Sequence, residues 1–181
     1  GHHPTEIAAT LQTARSLNPG RLIVLFQPHR FSRTQRLARE FGEALQAADL
    51  IFVTQVYPAS EPPIPGISGE TIVEAVEATG DTSVISVPDL ATAHHAIGNR
   101  LQKGDLVLTL GAGNVHEAGS RLARDLAHLE EMLERCQGQA RGTLYEPMHK
   151  HTTLRVGGPA QFWMEPSSFD AFKSIVRYAR R

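Results

Sequence analysis

The run LIVLF at residues 22–26 is continuously apolar, and Pro28 follows shortly after it. A short apolar run without polar alternation predicts a β-strand that is covered on both faces. Similar runs recur at residues 50–54, 83–87 and 105–110, and segments with apolar residues at helical spacing separate them. Strands that alternate with helices predict an α/β fold, here a Rossmann-like, mostly parallel sheet with helices on both faces.

The segments between the strands carry helix start and stop signals. Pro4 suits the first turn of a helix, and Asn18-Pro19-Gly20 ends that helix. Because a helix comes first, we expect a strand of the sheet to precede residue 1. The predicted helices occupy about residues 4–16, 32–45, 69–79, 89–101, 115–133 and 168–179.

The alternation of strands and helices changes near the end of the chain. Residues 137–145 are polar and contain glycine, which predicts a linker between a domain at 1–136 and a fragment at 146–181. In that fragment, residues 152–156 and 161–164 have the pattern of strands, and a Gly-Gly-Pro turn lies between them. About 36 residues bury too little surface to form a core alone, so we expect a short α+β piece of a larger domain.

Composition narrows the possible functions. The formal net charge is −1 and the apolar fraction is 41%, which indicates a folded chain without the basic surplus of a nucleic-acid-binding protein. Cys136 has no second cysteine to pair with, which favours a reducing, cytoplasmic location. The apolar runs are too short to span a bilayer, so no membrane association is expected.

In a parallel sheet with helical crossovers, ligands bind at the carboxyl ends of the strands. Arg30 and Arg33 follow the first strand at the start of a helix, where a cation opposes the helix dipole. Guanidinium groups in such a place suit an anion such as a carboxylate or phosphate. Solvated surface arginines explain the position equally well.

Two further patterns are weaker. Gly111 and Gly113 allow a ligand close to a helix amino end, but His116 stands where a dinucleotide fingerprint needs its third glycine, so a tight turn is an equal explanation. The adjacent histidines His2 and His3 point in different directions on a helix, and no third ligand is placed by spacing. We predict no metal site.

Four motifs converge on one family. GHHPTE (1–6), LFQPHRFSRT (25–34), VYPASEPPIPG (56–66) and DLVLTLGAGN (105–114), in this order, resemble the C-terminal domain of bacterial Mur ligases. Within that family they are most similar to the branch, MurC, that joins L-alanine to UDP-N-acetylmuramate. The resemblance covers about residues 1–135, and a related ligase that attaches a recycled tripeptide is the alternative.

The resemblance implies a reaction and its partners. The family uses ATP and Mg²⁺ to convert the lactyl carboxylate of UDP-N-acetylmuramate into an acyl phosphate, which the amine of L-alanine attacks. It also implies two partner domains outside this chain, one that binds UDP and a central one that binds most of the ATP and Mg²⁺. This domain would then be a lid that brings amino-acid-binding groups and excludes water.

Site residues follow from the same resemblance. Arg30 is expected to hold the alanine carboxylate, with His29 beside it and Arg33 nearby. His2 and His3 belong to a catalytic segment whose usual Asp and Tyr would precede residue 1. Tyr57 and Glu61 complete the substrate-binding set, and Gly111 and Gly113 lie near the nucleotide phosphates.

A second resemblance concerns HTTLRVGGPA at residues 151–160, which is similar to the start of UDP-N-acetylenolpyruvoylglucosamine reductases, the MurB family. That family uses FAD and NADPH, and the motif contributes Thr153, Arg155, Gly157 and Gly158. Its glycine-rich FAD loops and catalytic residues are not in this sequence, so FAD binding is expected for a complete reductase part only. The order of the two motifs predicts a fusion of ligase and reductase.

Two alternatives from other classes remain open at this stage. The α/β rhythm and the G-x-G pattern also suit a nucleotide-binding oxidoreductase, although no acidic residue follows at the distance that ribose binding requires. A binding lid without turnover of its own is the non-enzyme alternative.

Overall fold

The computed structural model describes residues 1–180; Arg181, the last residue of the predicted reductase fragment, lies outside the described residues. The chain divides into two compact units. Unit 1 contains Gly1–His94 and Leu101–Gly119, and unit 2 contains His95–Arg100 and the chain from Ser120 onward.

Unit 1 is built on a parallel sheet. Its strands, within the described residues, are β1 (Arg21–Phe26), β2 (Leu50–Val53), β3 (Ser83–Ser86) and β4 (Asp105–Leu110). They lie in the order β3-β2-β1-β4, and each neighbouring pair is parallel. The predicted α/β fold with a parallel sheet flanked by helices is therefore confirmed for this unit.

The helices follow the predicted positions with two differences. The helix predicted over 32–45 is two helices, because Leu37 leaves the helical region (φ −116°, ψ 19°) and breaks the hydrogen-bond ladder. The helix predicted from Asp89 begins later, because the Asp89 carboxylate accepts hydrogen bonds from Ala91 N and the Thr92 hydroxyl in a turn before it. The observed helices are α1 (Pro4–Arg15), α2 (Phe31–Arg36), α3 (Ala38–Leu45), α4 (Glu70–Thr79), α5 (Ala93–Gly98) and α6 (His116–Arg135).

The run LIVLF lies at the centre of the core. All five of its side chains are fully buried, as expected for a strand that has neighbours on both edges and helices on its faces. The core cluster includes Leu22, Val24 and Phe26, together with Ile7 of α1 and Phe41 of α3. Burial of apolar surface stabilises the folded state by about 25 cal/mol per Å², so this cluster contributes to the stability of the unit.

The strand order creates a topological switch point. From β1 the chain moves to β2 and β3 on one side, and then returns to place β4 on the other side. At such a point the loops that leave the two central strands diverge and open a crevice at the carboxyl ends. In unit 1 this crevice lies between the loop after β1 and the loop after β4.

Unit 2 contains an antiparallel pair of strands, β5 (Ala140–Pro147) and β6 (Pro159–Pro166), and helix α7 (Phe169–Ala179). The strand predicted at 152–156 is wrong: Thr152 closes a turn there through side-chain bonds with the Val156 backbone, and Arg155 has a positive φ of 52°. β5 instead begins inside the predicted linker, whose role as a domain boundary stays a prediction. Among residues 1–180, no helix combines the length and apolar character that a membrane crossing requires.

Candidate functional site

The loops after β1 and β2 are joined at the carboxyl end of the sheet. Arg30 N donates a hydrogen bond to Tyr57 O at 2.8 Å, and Tyr57 N donates to Pro28 O at 2.8 Å. The rings of His29 and Tyr57 stack with their centroids 5.6 Å apart and an interplanar angle of 9°. Three of the predicted substrate-binding residues, His29, Arg30 and Tyr57, therefore lie side by side.

Arg30 has a strained backbone. Its φ of 71° and ψ of 135° lie outside the regions that non-glycine residues usually adopt. Such a conformation costs about 1–3 kcal/mol and persists only where surrounding bonds fix it. Here Arg30 N is bonded to Tyr57 O, and Arg30 O accepts bonds from the Thr34 backbone and hydroxyl. The fold thus imposes strain on the residue that presents the guanidinium.

The Arg30 side chain is half exposed at 49% and makes a loose ion pair with Glu61, with Nη1 and Oε1 3.7 Å apart. Glu61 is held more firmly, because it accepts bonds from Ser32 N at 3.1 Å and from the Ser32 hydroxyl at 2.8 Å. These bonds, together with the Arg30 charge, lower the pKa of Glu61. Glu61 therefore fixes the start of α2 and leaves most of the Arg30 guanidinium available to a ligand.

A second arginine faces the same histidine. Arg33 Nη1 lies 3.4 Å from His29 Nδ1 and 3.5 Å from the backbone oxygen of His2. Burial lowers the pKa of His29, and the charge of Arg33 lowers it further. Because a guanidinium can only donate, the neutral ring accepts at Nδ1. The site therefore holds two permanent cations around an uncharged imidazole, an arrangement that favours an anion.

The two terminal histidines have different surroundings. The His2 ring lies 5.7 Å from the His29 ring, so the structure brings His2 into the cluster. His3 is exposed and precedes α1, where its Nδ1 accepts a bond from Thr5 N at 3.4 Å. The structure gives His3 a capping contact, and the catalytic roles of both residues stay predictions.

The loop after β4 lies against the same edge. A Cβ added to Gly113 would come within 2.6 Å of both Gln27 Oε1 and the Tyr57 ring, so a larger residue would not fit there. A Cβ on Gly111 would meet Gln27 O at 2.9 Å. Close packing therefore accounts for both glycines, and their predicted proximity to a nucleotide is not tested.

A cavity of about 480 Å³ opens at this end of the sheet. Sequence reasoning placed its residues at the ends of the strands and gave a role only to Tyr57, as a substrate-binding residue. The residue that stands out is Gln27, which is 5% exposed and whose Nε2 donates to Asn114 Oδ1 at 3.3 Å. The cavity is lined by Gln27, Thr54–Pro58, Pro88–Leu90 and Asn114.

Ser32 and Gln27 are the functional candidates that sequence reasoning missed. Ser32 matters through Glu61, which lies 29 positions away in the sequence, so no local pattern indicates the pair. Gln27 could have been noticed, because the rule that neighbouring parallel strands end at one edge places it beside the loop after β4.

The predicted FAD-motif residues lie in unit 2. Thr153 and Arg155 are exposed, whereas Gly157 and Gly158 line a cavity of about 360 Å³ together with Tyr145 and His149. Within residues 1–180, no group of three or more His, Cys, Asp or Glu side chains is placed to hold a metal ion.

Residues 1–113 match the family described as Mur ligase, glutamate ligase domain. The chain is 49% identical over 121 residues to UDP-N-acetylmuramate–L-alanine ligase of Solidesulfovibrio magneticus, a match that covers 66% of this chain and 26% of the relative. It is 44% identical over 122 residues to the protein of the same name from Lawsonia intracellularis, with 67% and 27% covered. The chain thus spans about a quarter of the length of the curated relatives it matches.

A domain of known structure is also similar. It comes from a putative UDP-N-acetylmuramate:L-alanyl-gamma-D-glutamyl-medo-diaminopimelate ligase of Haemophilus ducreyi. The TM-score is 0.48 at 22% identity, and the match covers 70% of this chain and 85% of that chain.

Proposed function

Because the chain belongs to the Mur ligase family, we propose that it is the C-terminal part of a UDP-N-acetylmuramate–L-alanine ligase. The curated relatives described above carry that name. The chain corresponds to about a quarter of their length, so the UDP-binding and central domains would be its partners within the full protein. Together they would catalyse a step of peptidoglycan precursor synthesis.

In the proposed reaction, ATP phosphorylates the lactyl carboxylate of UDP-N-acetylmuramate. The amine of L-alanine then attacks the acyl carbon, and phosphate leaves as the amide forms. We assign ATP and Mg²⁺ mainly to the other domains, as the family resemblance implies. Because the reaction consumes ATP, we place the protein in the cytoplasm.

This chain contributes the groups that hold the amino acid. The observation that carries the proposal is the strained, half-exposed Arg30, whose guanidinium stands beside the neutral ring of His29. A guanidinium binds a carboxylate through two parallel hydrogen bonds and fixes its orientation. Arg33 adds positive charge, and Tyr57 and Glu61 keep the two loops together.

The remaining predicted residues take supporting places in the proposal. His2 and His3 would act in the catalytic segment, and Gly111 and Gly113 would lie near the nucleotide phosphates. Closure of this domain over the central domain would exclude water from the acyl phosphate, which water would otherwise hydrolyse.

The proposal is tested by Arg30→Ala in a full-length ligase that contains this chain. Loss of a charged hydrogen-bond partner is worth about 1.5–3 kcal/mol, so the KM for alanine should rise at least about tenfold. The KM for ATP should change little, because ATP is bound elsewhere. Steady-state kinetics with each substrate varied in turn measures both values.

Arg39→Ala is the matched control. Arg39 is an exposed arginine on α3 that pairs with Glu43. Its loss should leave the KM values for alanine, ATP and UDP-N-acetylmuramate unchanged. An unaltered alanine KM in Arg30→Ala would remove Arg30 from the amino-acid site. If the wild-type enzyme accepts a tripeptide and not alanine, the recycling ligase is the correct branch.

The residues from 146 onward support a second, separate proposal. We infer that they begin a reductase part related to enzymes that use FAD and NADPH, on the strength of the motif HTTLRVGGPA. The parent reading frame tests this directly, since glycine-rich FAD loops should follow in it. A frame without them would leave the motif as a coincidence of sequence.

A further inference from the structure

The Arg30 guanidinium faces a carboxylate of its own chain. Glu61 Oε1 lies 3.7 Å from Arg30 Nη1, whereas a direct charge-assisted hydrogen bond measures roughly 2.7–2.9 Å. Within residues 1–180, Glu61 is the only group that pairs with this guanidinium. If Glu61 moved closer, it would compete with the carboxylate of a ligand. The separation of Glu61 from Arg30 therefore decides how much of the guanidinium a ligand can use.

Glu61 lies beside Arg30 because it holds the start of α2. Arg30 occupies the cap position of that helix, but its side chain makes no capping hydrogen bond. Glu61 Oε2 instead accepts a bond from Ser32 N at 3.1 Å. The first turn of a helix leaves backbone N–H groups without partners, and a carboxylate satisfies them well. The group that secures α2 thus also stands next to the cation of the site.

The backbone of Glu61 is fixed by a tight turn. Glu61 N donates a hydrogen bond to Pro58 O at 3.0 Å. Between them, Ala59 and Ser60 both have positive φ values, of 49° and 68°. Because the turn fixes the backbone, Glu61 approaches Arg30 by rotation of its side chain.

The Ser32 hydroxyl restrains that rotation. It donates to Glu61 Oε1 at 2.8 Å, and Oε1 is the oxygen that faces Arg30 Nη1. The hydroxyl and the backbone N–H of Ser32 therefore hold one carboxylate oxygen each. Without the hydroxyl, Oε2 would keep its bond to Ser32 N, and Oε1 would lose its donor. Glu61 would then pivot about Oε2 and turn Oε1 toward the Arg30 guanidinium.

We propose that Ser32 is a positioning residue that keeps Glu61 from occupying Arg30, so that the guanidinium stays available to the carboxylate of the amino-acid substrate. The assignment rests on the proposed ligase function. It adds a residue that controls the affinity for the amino acid without touching it. Because the effect is on binding, loss of the hydroxyl should raise the KM for alanine and leave kcat at saturating alanine close to the wild-type value.

The test measures the kinetics of Ser32→Ala, Glu61→Gln and the double variant in a full-length ligase that contains this chain. In Ser32→Ala, Glu61 closes on Arg30 and competes with alanine. Closure of a solvent-exposed ion pair of this kind should raise the alanine KM about fivefold, while the ATP KM stays within about twofold of wild type.

The Glu61→Gln background distinguishes competition from a loosened loop. Glutamine carries no charge, so it cannot form an ion pair with Arg30. The alanine KM of the double variant should therefore equal that of Glu61→Gln alone. If Ser32→Ala raises the KM by the same factor in both backgrounds, the hydroxyl only stiffens the loop, and the proposal is overturned.

Ser86→Ala is the matched control. Ser86 also donates its hydroxyl to a glutamate, Glu70, but no cation pairs with Glu70 in the part of the chain that the structure describes. Its loss should leave the alanine KM unchanged. Ser32→Thr keeps the hydroxyl and should retain the wild-type KM. A rise as large as that in Ser32→Ala would contradict a role for the hydroxyl.

Failure of this proposal and failure of the proposed function give different results. If wild type does not add alanine, the proposed function fails, and the role of Ser32 fails with it. If wild type adds alanine and Ser32→Ala retains the wild-type KM, the role of Ser32 alone is overturned. Ser32 is exposed, so the alanine variant should fold, and thermal unfolding beside wild type checks this.

Discussion

At the amino-terminal end of the sheet in unit 1, charged groups are paired at short distances. Arg21 and Asp105, on neighbouring strands, form a two-pronged pair with N–O distances of 2.9 and 2.6 Å. Asp49 accepts a bond from Leu22 N at 2.6 Å and pairs with Arg15 at 2.8 Å. These pairs hold the starts of the strands together. Most hydrogen-bonding groups of the paired side chains are therefore already used within the protein.

At the carboxyl-terminal end of the same sheet, the polar groups are poorly matched. Arg30 and Glu61 are 3.7 Å apart, Arg33 lies 3.4 Å from a neutral histidine, and Gln27 Oε1 has no partner among residues 1–180. The two ends share the same strands, so strand composition does not explain the difference. One end contributes stability, and the other retains binding capacity for a ligand.

The largest loss of stability should come from removing the Arg21–Asp105 pair at the amino-terminal end of the sheet. Asp105→Ala removes the carboxylate that accepts bonds from Arg21 and from the Gln102 N–H, and the Asp105 side chain is 3% exposed. We expect a loss of about 3 kcal/mol in the free energy of unfolding, measured by urea denaturation. In a full-length ligase the same change should leave the alanine KM unaltered, which would separate the two ends experimentally.

The same variant also tests the pH dependence. Arg21 holds the pKa of Asp105 below its usual range, and the Gln102 N–H adds to this effect. The stability that Asp105 contributes is therefore present above an unfolded pKa of about 4 and is lost as the pH falls through the lower folded pKa. Urea midpoints should decline less steeply on acidification in Asp105→Ala than in wild type. An equally steep decline would show that other carboxylates dominate.

A smaller effect is expected from adding one methyl group at each end. In Gly113→Ala the new Cβ would lie 2.6 Å from Gln27 Oε1 and from the Tyr57 ring, which should cost about 1–3 kcal/mol of stability. In Gly20→Ala, at the opposite end, the nearest atom is Gly104 O at 3.3 Å, so stability should stay within about 1 kcal/mol of wild type. Thermal or urea unfolding of the two variants measures the contrast. Equal losses would mean that the carboxyl end is packed no more tightly around its glycine.

Much of unit 1 could be predicted from the sequence because its signals are local. Continuous apolar runs such as residues 22–26 mark buried strands, and alternation with helices limits the sheet to a parallel arrangement. The break at Leu37 could not be predicted, since a backbone departure of one residue leaves the apolar spacing of the helix unchanged. Arg30 was identifiable as an anion-binding candidate because it follows a strand at a helix start.

Unit 2 shows where such reasoning fails. Residues 152–156 alternate like a strand, yet a threonine side chain closes a turn there and Arg155 takes a positive φ. The predicted linker at 137–145 is mixed in polarity, although β5 begins inside it at Ala140 and pairs with β6. Local composition does not decide between strand and loop when the strand is partly exposed on both faces.

The smallest effect is a change in the titration of His29. Burial, more than the neighbouring Arg33, lowers the pKa of this ring, so Arg33→Ala should raise the pKa without restoring the usual value of about 6.5. Arg36→Ala, on the same helix, is the matched control and should leave the pKa unchanged. NMR titration of the His29 ring protons measures all three proteins.

The direction of the His29 pKa shift also predicts how the stability of the protein changes with pH. Because the folded pKa of His29 lies below the unfolded one, protonation opposes folding, and stability should rise with pH through this window. In Arg33→Ala the folded and unfolded pKa values of His29 should lie closer together, so the stability should rise less with pH. If the His29 pKa of wild type is normal, or does not respond to Arg33→Ala, the ring is not held neutral between cations. The carboxyl end would then be less positive than the distances indicate, and Arg30 alone would have to account for anion binding.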